Sequence, residues 1–139
     1  MISGKKLILF VLVFAILILA WFAPLQQSKY VHIVGEVLTS QEAAEKNTEM
    51  EIVKVHGTFW NDGNLAAENL TATVIFTDTA HNKVVRKTVL VGGNLLPDKG
   101  NAVEFNSEYL RERTVPKTAV NITEQFEWME NGQLKNSSI

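Results

Sequence analysis

Three histidines, His32, His56 and His81, are the imidazoles available for metal or proton chemistry, and the chain has no cysteine. The missing thiol excludes disulfide scaffolds, Cys-based zinc sites and thiol catalysis. On adjacent strands His32 and His56 could approach to about 5 Å. A metal site would need further ligands, and no pattern supplies them. None of the six serines, Ser3, Ser28, Ser40, Ser107, Ser137 and Ser138, stands in a Gly-x-Ser-x-Gly turn. Phosphate-binding glycine loops are absent, and Gly92-Gly93 reads as a strand terminator. The loop Asn61-Asp62-Gly63-Asn64, with Asp78 or Asp98, could offer oxygens to calcium. It lacks the twelfth-position Glu of an EF-hand, and turn chemistry accounts for its residues. The expectation is no catalytic, cofactor-binding or metal-binding residue, and no enzyme. A calcium- or carbohydrate-binding module is the alternative.

Two other groups of residues matter more. Asn69, Asn121 and Asn136 each begin an Asn-x-Ser/Thr sequon, a modification site only if exterior. Asn69 and Asn121 have outward parity, opposite Leu70 and Ile122. Trp60 and Ile75 fall on the outward parity of their strands, so they are the candidates for contact with a protein partner. If those strands share a sheet, the two residues form one apolar patch. Packing beneath residues 40–47 is the structural alternative.

These side chains must be positioned by strands. Residues 51–60 alternate, with Val53, Val55, Gly57 and Phe59 on one face. Residues 70–77 alternate again, with Leu70, Ala72, Val74 and Phe76 together. Residues 30–38, 84–91, 102–106 and 119–128 read as further strands. Asn61-Asp62-Gly63-Asn64 and Pro97-Asp98-Lys99-Gly100 are turn signals. Glu124 shares the parity of Val120, Ile122, Phe126 and Trp128, which predicts an exposed edge or a bulge there. Residues 40–47 read as a helical turn or loop. Residues 109–113 read as a short helical turn or irregular chain, and the polar residues 132–139 as a flexible tail. Six or seven short strands predict a two-sheet antiparallel sandwich. Its core would draw on Val53, Val55, Phe59, Leu70, Ala72, Val74, Phe76, Val103, Phe105, Val120, Ile122 and Phe126.

Upstream, residues 7–23 are 17 consecutive apolar residues preceded by Lys5 and Lys6. As a helix they would be roughly 26 Å long, and extension to Leu25 nearly spans a bilayer core of about 30 Å. Trp21 and Phe22 suit the headgroup interface. Bulky residues at both candidate cleavage points disfavour a signal peptide. The positive-inside rule places Lys5 and Lys6 in the cytoplasm and the rest outside. The outer part carries 11 basic and 15 acidic residues, the wrong sign for a nucleic-acid surface.

From residue 51 to 128 the pattern resembles FxLYD-type immunoglobulin-like domains of archaea and bacteria. The matching residues are Val55-His56-Gly57, Asn61-Asp62-Gly63, Ala67-Glu68-Asn69-Leu70, Phe76-Thr77-Asp78 and Leu95-Leu96-Pro97-Asp98-Lys99-Gly100 with Phe105. Phe76-Thr77-Asp78 departs from the family by one inserted residue. The resemblance implies an extracytoplasmic sandwich tethered by one helix, and it carries no catalytic residues. Accessory proteins of the archaeal rotary filament have a similar layout. The sequence thus predicts an all-β, immunoglobulin-like antiparallel sandwich preceded by one transmembrane helix. Residues 1–6 are cytoplasmic, 7–25 span the lipid, 26–131 form the outer domain and 132–139 the tail. The expected role is a non-enzymatic scaffold or accessory subunit of a membrane or cell-envelope complex. Its partners are membrane lipid and a protein, with no nucleic acid.

Overall fold

The computed structural model describes residues 28–139, together with Val13, Phe14 and Ile18, which are helical. Apart from those three, the expected cytoplasmic residues 1–6 and membrane span 7–25 lie outside the described residues. Among the described residues no helix is long and apolar enough to cross a membrane.

Alternating apolar residues dictate the central strands, and among the described residues seven strands form: β1 (Ile33–Ala44), β2 (Asn47–Asn61), β3 (Ala67–Asp78), β4 (Lys83–Leu95), β5 (Val103–Glu112), β6 (Asn121–Glu130) and β7 (Gln133–Ser138). A single 3-10 turn, Lys99–Asn101, joins β4 to β5. The strands make two antiparallel sheets, ordered β1-β2-β5 and β4-β3-β6-β7. β2 buries Val53, Val55, Phe59 and Asn61 on one face, and β3 buries Leu70, Ala72, Val74, Phe76 and Asp78. These faces meet in one core. Phe59 of β2 stands edge-on to Phe126 of β6 at 5.0 Å, and Phe76 of β3 lies 5.7 Å from Tyr109 of β5. Ten of the twelve expected core residues are buried, while Val103 and Ile122 pack against the core partly exposed.

Four local expectations are corrected. Residues 40–47 are not helical: they complete β1 and begin β2, with only Glu45 and Lys46 in the turn. Pairing of Gln41 with Val53 and Glu42 with Ile52 extends the ladder there. Intrinsic helix preference, a few tenths of a kcal/mol per residue, does not compete with that. Residues 109–112 continue β5, because Tyr109 and Arg111 point inward opposite Val53 and Glu51. Gly92-Gly93 does not end β4; the register shifts beside it, with Gly92 at φ 69°, and the strand runs on to Leu95. Finally, residues 133–138 are not a loose tail but the edge strand β7. Asn131 (φ 51°) and Gly132 (φ 75°) supply the left-handed pair of a tight hairpin. Ile139 exchanges two main-chain bonds with Glu124.

Candidate functional site

The chain reaches the sandwich at one end, where residues 28–32 are pinned by the turn after β2. Asn61 is fully buried, and its amide is used completely. Its Oδ1 accepts from the His32 and Gly63 amides at 3.2 and 2.9 Å, and its Nδ2 donates to the Leu65 and Leu95 carbonyls at 2.7 and 3.2 Å. The Tyr30 amide donates to Asn64 Oδ1, and the Tyr30 carbonyl accepts from the amides of Asn64 and Leu65. Gly63 is required for this approach. A Cβ there would stand 2.3 Å from the Tyr30 carbonyl oxygen. Asn61, Gly63 and Asn64 are therefore a clamp on residues 28–32, which is a structural role distinct from a calcium loop. Asp78 lies at the opposite end of β3 from this loop.

That opposite end holds a buried ionic cluster. Arg111 of β5 donates through Nε to Glu51 Oε1 at 2.7 Å and through Nη1 to Asp78 Oδ1 at 3.0 Å. Its Nη2 also reaches the Thr118 carbonyl, tying down the β5–β6 connection. Tyr109 donates its hydroxyl to Asp78 Oδ2, and His81 Nδ1 lies 2.8 Å from the same oxygen. Burial by itself would raise the Asp78 carboxyl. The His81 hydrogen bond and the Arg111 charge outweigh it and hold the group below the usual carboxylate range. Burial, reinforced by Asp78, pushes the Tyr109 phenol up. Three strands, β2, β3 and β5, and the β5–β6 connection are stapled by this one guanidinium. Its donors are consumed by protein acceptors, so the cluster fastens the end of the sandwich.

Glu124 of β6 is buried outside that cluster and contrasts with it. It is 2% exposed, at neither the exposed edge nor the bulge its parity predicted, and neither carboxyl oxygen has a partner. Gly35 and Gly57 make the room for it: a Cβ on either would lie 3.1–3.2 Å from a Glu124 oxygen. Phe105 fills the remaining space over Gly57, where a Cβ would come within 2.3 Å of its ring. Burial pushes the Glu124 carboxyl up to about 7.

The candidates taken from the sequence are dispersed, except that Ile75 and Asn136 line one shallow depression of about 300 Å³. Trp60 is half-buried on the outer face of the β1-β2-β5 sheet, opposite Val34, with the Lys99 ammonium 4.3 Å above its ring. Ile75 lies on the outer face of the other sheet, facing Arg86 and Thr123 across the ladders. The two strands do not share a sheet, so no single patch contains both residues. The shallow depression on the outer face of the first sheet, about 440 Å³, is lined by Leu38, Lys54, His56, Asn106 and Glu108. Neither Trp60 nor Ile75 belongs to it. Asn69, Asn121 and Asn136 are all exposed. His32 precedes β1 and His56 pairs with Leu38, so the two histidines are separated along the sheet. Among the described residues no three His, Asp or Glu gather as a metal site. The sequence reading pointed to neither the ionic cluster nor the burial of Glu124. Their signal was inward parity: Glu51 is in phase with Val53, Asp78 with Phe76, and Arg111 with Tyr109.

No protein-family model and no curated protein matches this sequence. Among solved structures, the chain is similar to a protein of Bordetella pertussis provisionally assigned as ApaA. The TM-score is 0.58 at 18% identity, over 81% of this chain and 92% of that one. A second structural-genomics target aligns with TM-score 0.45 at 16% identity, over 78% and 81% of the two chains. At such identities the first likeness speaks for the fold alone.

Proposed function

We propose that this chain is an immunoglobulin-like sandwich held outside a membrane by residues 7–25, its N-terminus cytoplasmic. It acts without catalysis, as a scaffold or accessory subunit of a membrane or cell-envelope complex. The observation that carries this reading is the clamp on residues 28–32. A tether that ran loosely into the domain would need no such device. Here Asn61, Gly63 and Asn64 fix the chain four to eight residues after Pro24, so its entry into the sandwich is set. The strand order β1-β2-β5 and β4-β3-β6-β7 supports the immunoglobulin-like description. Residues 25–29 reach at most about 18 Å, which keeps the domain beside the lipid. The four edge strands β1, β5, β4 and β7 and two outer sheet faces are the surfaces a protein partner would use.

Crosslinking in native membranes followed by mass spectrometry tests the role. The expected result is a reproducible set of membrane or envelope neighbours linked to the sandwich. Recovery of the chain without a stable neighbour overturns it. Orientation is tested separately by protease treatment of intact cells carrying a C-terminal tag, where a protected tag rejects the outer placement.

A further inference from the structure

Among the described residues, the buried side-chain atoms without a hydrogen-bond partner are Glu124 Oε1, Glu124 Oε2 and Ser137 Oγ. All three lie at the β6–β7 seam. Glu124 exchanges main-chain bonds with Ile139, and the next inward pair on the ladder is Phe126 with Ser137. β7 itself contributes little apolar burial. Five of its six residues are exposed, Leu134 among them. It is bonded to a neighbour on one side only, whereas β6 lies between β3 and β7. Past its end, the Ile139 side chain reaches across to β1, its Cδ1 2.7 Å from where a Gly35 Cβ would stand. Ile139 therefore roofs Glu124.

The other elements around Glu124 offer it nothing polar. β1 presents Gly35, β2 Gly57, β3 its register partner Val74, and β5 Phe105. The charged and titratable groups facing inward from those strands are Glu51 on β2, Asp78 on β3, and Tyr109 and Arg111 on β5. They are bonded into the end cluster described above. Lys135 of β7 is exposed, opposite Trp128 rather than Glu124. An ionised carboxylate in such a place is strongly disfavoured unless water or a cation reaches it. The strand that can leave with the least loss of packing is β7.

We infer that β7 is a pH-released cover strand: it seals the sandwich while the Glu124 carboxyl is protonated and peels from β6 when that carboxyl ionises. Release hydrates all three unpartnered atoms together. Burial is the cause of the raised Glu124 carboxyl, which sets the transition near neutral pH. The inference stands on β6 and β7 and does not depend on the membrane tether.

Hydrogen exchange of the full chain in detergent micelles, read by mass spectrometry and corrected for intrinsic rates, tests it. In the open form Glu124 regains an ordinary carboxylate pKa. Opening then increases by up to about tenfold per pH unit between the two values, about 40-fold from pH 5 to 7, and levels off above. The expected result is that protection of 133–139 falls by that factor, that β3 stays protected, and that Glu124→Gln abolishes the fall. Unchanged β7 protection from pH 5 to 7 overturns the inference. So does a loss of β3 protection in step with β7, which would mark opening of the whole domain. Should Glu124→Gln fail to fold, the wild-type exchange and a carbon-13 titration of the Glu124 carboxyl decide, with a midpoint near 4.5 overturning it.

Discussion

Arg111 answers two buried carboxylates with one guanidinium, so its removal leaves Glu51 and Asp78 uncompensated in the interior. Arg111→Met is expected to lower unfolding stability by about 3–5 kcal/mol, read as a fall in the urea midpoint. Lys54→Ala, which breaks the solvent-exposed pair with Glu42, is expected to leave the midpoint nearly unmoved. Glu124 and Asp78 act oppositely with pH. The folded state binds the Glu124 proton more tightly than the unfolded chain, so the stability it adds is full below about 4.5 and lost as pH rises to about 7. The loss is roughly 3 kcal/mol, and urea midpoints of Glu124→Gln should stay level over pH 5–7 where those of the wild type fall. Asp78 is depressed, so its contribution is present above its ordinary value and lost as pH falls through the lower, folded one. These charges were legible only as parity. Glu124 sits in phase with Phe126 and Trp128, but solvation cost makes an inward charge the less expected reading. Arg111 finds Glu51 sixty positions away, a pairing only the topology creates.

The strands themselves were the most readable level, because alternation over 51–60 and 70–77 leaves one face to bury. What local pattern failed to show was how far each strand runs. Residues 40–44 and 109–112 carry helix-compatible side chains, and they are extended because a neighbouring strand continues beside them. Residues 133–138 lack apolar alternation altogether and are strand because the β6 ladder offers them partners. The clamp was seen as a turn signal but not as a grip on residues 28–32, since its Asn61 contacts span 29 and 34 positions. Asn61→Ala removes four hydrogen bonds and strands buried carbonyls, at a cost of about 3 kcal/mol. Limited proteolysis should then cut within residues 28–32 before any site in β2 or β3. Gly63→Ala, through its clash with the Tyr30 carbonyl, should open the same site.

At the scale of the molecule, the two sheets turn Trp60 and Ile75 to opposite sides. A partner lying against one outer face can touch only one of them. In the native-membrane crosslinking experiment, either Trp60→Ala or Ile75→Ala is expected to reduce a given crosslink, and not both. The clamp and the ionic cluster occupy opposite ends of the long strands. Should a partner grip the far end while residues 7–25 are embedded in lipid, any pull would run lengthwise along β1. All twelve β1–β2 register pairs, from Ile33–Asn61 to Ala44–Asn47, would then bear the load side by side instead of unzipping in turn. The same antiparallel ladder that sets the fold would serve as a tension-bearing strut.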